Sequence, residues 1–221
     1  MPARPGQKAV LFDLDGTLTD PFVGISRSIQ HALQQVGAPV PEAETLRAYI
    51  GPPLLATFRQ LLGDEILAAE CVRLYRERYA DIGKFENAII PGIAEVVTAL
   101  SQQGYFLAVA TSKLETYSRD IVAHFGLAPF FADIHGSQLD GSRAEKPELL
   151  RHIVATEALD PARTIMIGDR LHDVVGAAKN GMPAIGVLWG FGDRPELEEA
   201  GAAAIAETPA DLPALVRRLL L

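Results

Sequence analysis

The chemistry in this chain begins at Asp13 and Asp15, which follow the apolar run Ala9-Val10-Leu11-Phe12. Buried carboxylates are costly unless paired or bound to a metal, so two of them at the end of such a run call for a cation. Gly16 lets the backbone turn sharply behind them. A D-x-D-G string also begins calcium loops, but those place their Gly sixth and a Glu twelfth. Here Gly16 falls fourth and the twelfth residue is Gly24, which excludes that loop.

Three further stretches carry candidate groups. Ser112 and Glu115 fit a capping box after Thr111, predicting a helix start whose free N–H groups form an anion site beside the Thr111 hydroxyl. Lys146-Pro147 predicts a second helix start, with the proline at the first helical position and Lys146 just before it. Asp169 ends the apolar run Thr164–Gly168, and Asp173 falls in the first turn of the helix after it. Carboxylates facing each other across two strand ends suit Mg²⁺, which takes one or two carboxylates together with waters and phosphate oxygens.

The elements that position these groups read as an α/β fold. An apolar run breaking off into a carboxylate predicts a strand buried on both faces of a parallel sheet, and ligands of such sheets bind at the carboxyl ends of the strands. From about Pro21 to Glu86 the periodicity is helical: a stripe from Phe22 to Val36 ending at Gly37, a short helix over Glu42–Tyr49, a helix after Ile50-Gly51-Pro52-Pro53 running through Leu62-Gly63, and a long one from Asp64 to about Ile82. From Pro91-Gly92 strands and helices alternate. Strands are predicted at 105–110, near 131–135, at 164–167 and at 184–188, with helices at 93–103, from 112 to about 125, from 147, after 169 and from about 209. The expected organisation is an α/β core of residues 1–20 and 87–221, with an all-helical insertion at 21–86.

Composition narrows the setting. With 221 residues and 48 % hydrophobic content the chain can bury a full core. Its single cysteine, Cys71, rules out an internal disulfide framework and fits a reducing compartment. No apolar run reaches the ~18 residues of a membrane span, and residues 1–7 lead into no signal-peptide core. The expectation is a cytoplasmic protein with a short disordered leader. A net charge of −8 argues against nucleic-acid or membrane-surface partners.

Taken in order, Asp13/Asp15, Thr111, Lys146 and Asp169/Asp173 resemble the four motifs of the haloacid dehalogenase (HAD) superfamily. The likeness spans Phe12 to about Gly192, and the insertion resembles that superfamily's C1 cap on a Rossmann-like parallel sheet. More narrowly, Thr19-Asp20-Pro21, Arg47 with Ile50-Gly51-Pro52-Pro53-Leu54, Gly168-Asp169-Arg170 and Leu188-Trp189-Gly190 look like the phosphoglycolate phosphatase-like or 5′-nucleotidase-like branch. The resemblance implies a Mg²⁺-dependent phosphomonoesterase acting on a small phosphorylated metabolite. Asp13 is then the nucleophile and Asp15 the acid/base. Thr111, Ser112 and Lys146 bind the phosphoryl group, while Asp13, Asp15 (through its carbonyl), Asp169 and Asp173 hold the metal. Arg47 and Gly51 in the cap are expected to face the leaving group. Where many relatives have a small hydroxyl residue this chain has Arg170, whose role stays open, and His172 is expected to face solvent. Asp15 argues against a dehalogenase, and the lack of a suitable cap lysine other than Lys84 argues against a phosphonatase. A phosphoglucomutase-type transferase and a non-enzymatic phospho-acceptor domain remain alternatives.

Overall fold

Strand β1 (Ala9–Phe12) lies in the middle of a six-stranded parallel sheet, and all four of its residues are fully buried. Its neighbours are β4 (Phe106–Leu114) and β6 (Thr164–Gly168). Beyond β4 comes β5 (Asp133–Ser137); beyond β6 come β7 (Ala184–Val187) and β8 (Ala204–Ala206). The strand order 5-4-1-6-7-8 therefore reverses direction at β1, which puts the ligand crevice of an open α/β sheet at the carboxyl ends of β1, β4 and β6.

The unbroken apolar run of β1 follows from covering both faces. Val10 and Phe12 enter one core, with residues of α4 (Ile93–Gln102), α5 (Glu115–His124) and α9 (Leu212–Leu219). Ala9 and Leu11 enter the other, with residues of α6 (Lys146–Thr156), α7 (Leu171–Lys179) and α8 (Arg194–Glu199). Alternating directions along one strand thus serve two helical layers.

This computed structural model describes residues 3–4, 6–51 and 53–220. The chain divides into two compact units, one of the residues up to Thr19 and from Ile89 onward, the other of Asp20–Ala88. It passes between them through the short paired strands β2 (Thr19–Asp20) and β3 (Ala88–Ile89). The second unit holds α1 (Phe22–Gln35), a 3₁₀ turn (Ala43–Tyr49), α2 (Leu54–Leu62) and α3 (Glu65–Asp81). Asp64 caps α3 by accepting the Ile66 and Leu67 N–H groups. Tyr75 and Tyr79 stack at 5.2 Å inside the unit, with Phe58 edge-on to Tyr75. Pro52, part of the predicted break before α2, lies outside the described residues.

Several expectations are corrected. β4 runs on to Leu114, pairing there with Ser137 of β5, so no helix starts at Thr111-Ser112. Pairing between strands has overridden a local capping signal. Strand β5 lies two residues later than predicted, and α6 begins at Lys146 itself rather than after it. The segment 194–206 holds both α8 and β8. The described part of the leader is tied down: the Ala3 N–H donates to the Glu157 carbonyl and Gln7 Nε2 to the Gly104 carbonyl. Met1, Pro2 and Pro5 lie outside the described residues. Among the described residues no helix is long and apolar enough to cross a membrane.

Candidate active site

Three strand ends converge on one cluster. Asp13 continues β1, its N–H donating to the Ile167 carbonyl of β6 at 2.9 Å, and Asp169 follows β6 directly. Asp173 lies in the first turn of α7, and Lys146 opens α6. Lys146 Nζ stands 3.0 Å from Asp13 Oδ1 and 2.7 Å from Asp173 Oδ1, and it donates to the Ala110 carbonyl of β4 at 2.8 Å. Carboxylate oxygens of Asp13, Asp169 and Asp173 all lie within 4.8 Å of one another. The four predicted residues are thus one cluster, and its lysine reaches across to the strand carrying Thr111. Thr111 is buried, and its hydroxyl oxygen accepts the Lys113 N–H.

Asp169 is gripped on all sides. The Phe191 N–H donates to Oδ2 at 2.7 Å, while Oδ1 is buried with no hydrogen-bond partner among the described residues. A Cβ on Gly16, Gly190 or Gly192 would collide with Asp169, so these positions take only glycine. Gly16 also has φ +79°, which makes the turn after Asp15.

The cluster is electrostatically unbalanced. Four carboxylates (Asp13, Asp15, Asp169, Asp173) face two ammonium groups, Lys113 and Lys146. Burial pushes the Asp169 carboxyl well above its usual range, and the charges of Asp13 and Asp173 add to the push. Burial raises Asp173 to about 6 against the pull of Lys146. Burial works against the Lys146 ammonium, but Asp13 and Asp173 outweigh it and raise its pKa. Excess negative charge and an unpartnered carboxylate oxygen in a dry place suit a divalent cation bound through oxygen.

Lys113 is the residue that sequence reasoning missed. Its Nζ lies 2.6 Å from Asp15 Oδ2, with only 8 % of the side chain exposed. Burial raises the Asp15 carboxyl, and Lys113 opposes that rise. The available signal was Thr111-Ser112-Lys113 itself: on a strand, residues two apart share a face. Read as a helix start, the same residues hid it. Ser112, on the other face, is exposed, and Glu115 caps nothing at Ser112 but accepts from Arg119 and Arg143. Ser112 therefore drops out of the cluster.

The cap residues belong to the other unit. Arg47 lies over the Phe22 ring at 4.4 Å and pairs with Glu44 at 3.2 Å; Gly51 is exposed with φ 108°. His172 is exposed, as expected. A second group of possible ligands, Asp133, His135 and Glu157, was not legible in the sequence because Glu157 lies more than twenty residues from the other two. It is internally satisfied: His135 Nε2 lies 3.1 Å from Glu157 Oε1, and Arg119 holds Asp133 at 2.7 Å.

Residues 10–187 match the model of the haloacid dehalogenase-like hydrolase family. A protein of Pseudomonas aeruginosa called a 5′-nucleotidase is 49 % identical over 189 residues, covering 85 % of this chain and 86 % of its own. A Mycobacterium tuberculosis protein called tyrosine-protein kinase PtkA is 43 % identical over 193 residues, 86 % of this chain but 66 % of its own. The crystal structure of a predicted phosphatase from Clostridium acetobutylicum superposes with a TM-score of 0.88 at 39 % identity, covering 97 % of this chain and 98 % of that one.

Proposed function

This chain belongs to the haloacid dehalogenase-like hydrolase family, and with relatives called 5′-nucleotidase and phosphoglycolate phosphatase it is a phosphomonoester hydrolase; we propose that it works through an aspartyl phosphate on Asp13, with Mg²⁺, on a small cytoplasmic phosphate ester. Nucleoside 5′-monophosphates are the first substrate class, favoured by the 49 % identical relative called a 5′-nucleotidase; phosphoglycolate is the second. The observation that carries the reading is Lys146 bridging Asp13 and Asp173 while Asp169 Oδ1 is buried without a partner among the described residues.

Asp13 attacks phosphorus, forming an acyl phosphate as the bond to the ester oxygen breaks. Asp15 donates its proton to the departing alkoxide, then takes one from the water that displaces phosphate from Asp13. The raised pKa of Asp15 suits the first task, and Lys113 keeps the carboxylate accessible for the second. Lys146 offsets the charge that Asp13 and the phosphoryl oxygens bring together, and the Thr111 hydroxyl holds one of those oxygens. Asp13, the Asp15 carbonyl and Asp169 are the ligands assigned to Mg²⁺, which when bound neutralises charge on the transferring phosphoryl group. Both Asp173 oxygens are engaged, Oδ1 by Lys146 and Oδ2 by the Arg170 N–H, so its part is to hold Lys146 and support the metal ligands. Specificity is assigned to Arg47 and Gly51 in the helical unit, since the core groups all address phosphate or metal.

Phosphate release from adenosine monophosphate, phosphoglycolate and p-nitrophenyl phosphate, with Mg²⁺ and with EDTA, tests the reading. Many turnovers with excess substrate are expected, yielding free phosphate and lost with EDTA. A single stoichiometric phosphorylation would instead identify a phospho-acceptor domain. Transfer of phosphate to a sugar or a tyrosine, without release, would identify a mutase or a kinase.

A further inference from the structure

Arg170 occupies a position where an acceptor belongs. It is the N-cap of α7, a place usually taken by Ser, Thr, Asp or Asn, whose side-chain oxygens accept free N–H groups of the first turn. A guanidinium has donors only. The missing acceptor comes from α8: Glu196 Oε1 accepts the Leu171 N–H at 2.7 Å and Arg170 Nε at 2.8 Å. The Arg170 N–H in turn donates to Asp173 Oδ2 at 3.2 Å. Glu196 thus caps α7 from another element and holds the residue lying between Asp169 and the helix that carries Asp173.

The same helix is tied to Asp169 from the opposite direction. The loop into α8 supplies the Phe191 N–H to Asp169 Oδ2 and passes so close that Gly190 and Gly192 admit no side chain. Asp193 then starts α8 by accepting the Glu196 N–H at 2.9 Å. The path Asp169–Phe191–Asp193–Glu196–Arg170–Asp173 closes on itself. We propose that Glu196, acting through Arg170 and the Leu171 N–H, is a positioning residue for the carboxylates Asp169 and Asp173, and so sets divalent-cation affinity. The proposal rests on the reading that Asp169 binds the metal. Its physical content is twofold. Glu196 fixes the turn from which both carboxylates project, and it neutralises a guanidinium one residue from Asp169 that would otherwise repel a cation.

The test is Mn²⁺ binding to the whole purified chain, followed by electron paramagnetic resonance, with no substrate present. Groups supporting metal ligands are worth about 10–100-fold in affinity, so Glu196→Ala should raise the Mn²⁺ Kd about tenfold. Glu196→Gln keeps an acceptor for the Leu171 N–H and should fall between wild type and Glu196→Ala. Arg170→Ala removes the guanidinium that Glu196 neutralises but not the Leu171 N–H that it caps, so adding it to Glu196→Ala should recover part of the loss. The metal-free melting temperature checks that each variant folds. Wild-type Kd in Glu196→Ala, with binding lost in Asp169→Asn, overturns the proposal and leaves the metal reading intact. Wild-type Kd in Asp169→Asn overturns both. Equal losses in Glu196→Gln and Glu196→Ala, matched by equal falls in melting temperature, would mark a merely structural glutamate and overturn it as well.

Discussion

The ion pairs at the strand ends of the α/β unit and those on the surface of the helical unit sit in opposite surroundings. At the strand ends of the α/β unit the pairs are dry: the side chains of Lys146 and Asp173 are 3 % and 2 % exposed. On the helical unit Arg59–Glu65, Arg73–Glu70 and Arg73–Glu77 join side chains between 44 and 66 % exposed. Water and salt screen such surface pairs, which contribute little to stability. The buried cluster has the larger consequences, because carboxylates outnumber ammonium groups where desolvation is costly. A fold selected for stability alone would not keep it, so an arrangement of this kind marks a place where stability is traded for chemistry. The same residue types therefore do chemistry in one place and little in the other, according to how far water is excluded from them.

The largest effect should come from Asp13→Asn. An amide of the same shape cannot displace the ester oxygen, so turnover should fall by at least about 10³-fold, while circular dichroism stays that of the wild type. Wild-type turnover would remove the chemical half of the comparison altogether.

Next comes Asp169→Asn. Its folded pKa lies well above the ordinary value of 3.8, and that of Asp173 is about 6. A carboxyl with a raised folded pKa binds its proton more tightly in the native state, so it stabilises below the unfolded pKa and loses that contribution as pH rises through the folded one. Metal-free wild type should therefore melt at lower temperature as pH rises from 4 past 6, and Mg²⁺ should offset the fall. Asp169→Asn should flatten this pH dependence and greatly weaken the response to Mg²⁺. An unchanged pH slope together with an unchanged Mg²⁺ response would show that the crowded carboxylates cost the fold nothing.

A smaller effect is expected at Lys113. Without its ammonium, burial should leave Asp15 protonated, still able to donate but not to accept. Lys113→Met should retain a burst of leaving-group release while the steady-state rate drops about tenfold. Rapid-quench kinetics with p-nitrophenyl phosphate would reveal this; equal slowing of both phases would assign Lys113 to something other than Asp15.

Much of this could be read from the sequence wherever the signal was local. An apolar run ending in a carboxylate located β1 with Asp13, and β6 with Asp169, because burial on both faces leaves no other pattern. Pro147 located the start of α6 to within one residue of Lys146. Two kinds of feature were not legible. Thr111-Ser112-Lys113 carries a capping signal that loses to pairing with β5, so Lys113 was missed and the Ser112 side chain was expected on a face from which the strand turns it away. Glu196 meets Arg170 across 26 positions, and no local pattern reports such a contact. β8 hid in Ala204-Ile205-Ala206 because alanine has little preference for strands; just before it, the Ala203 N–H donates to the Ala184 carbonyl at the start of β7.

The smallest predicted effect lies in the helical unit, at Arg47. Its guanidinium packs over the half-buried Phe22 and pairs with the exposed Glu44, with 47 % of the Arg47 side chain exposed. An exposed cation–π contact is worth about 0.5–1 kcal/mol, so losing it should barely move the melting temperature. If Arg47 instead meets a second polar or anionic group of the substrate, as a guanidinium is suited to do, the loss should appear only with substrates that carry one. Arg47→Ala should then raise KM for adenosine monophosphate or phosphoglycolate by about fivefold, with kcat nearly constant, and leave p-nitrophenyl phosphate hydrolysis unchanged. That pattern would sharpen the contrast, making the wet charges of the helical unit agents of selection and the dry charges of the sheet agents of chemistry. Equal losses on all three substrates would instead give Arg47 a part in the common reaction, and the division of labour between the two units would fail at that residue.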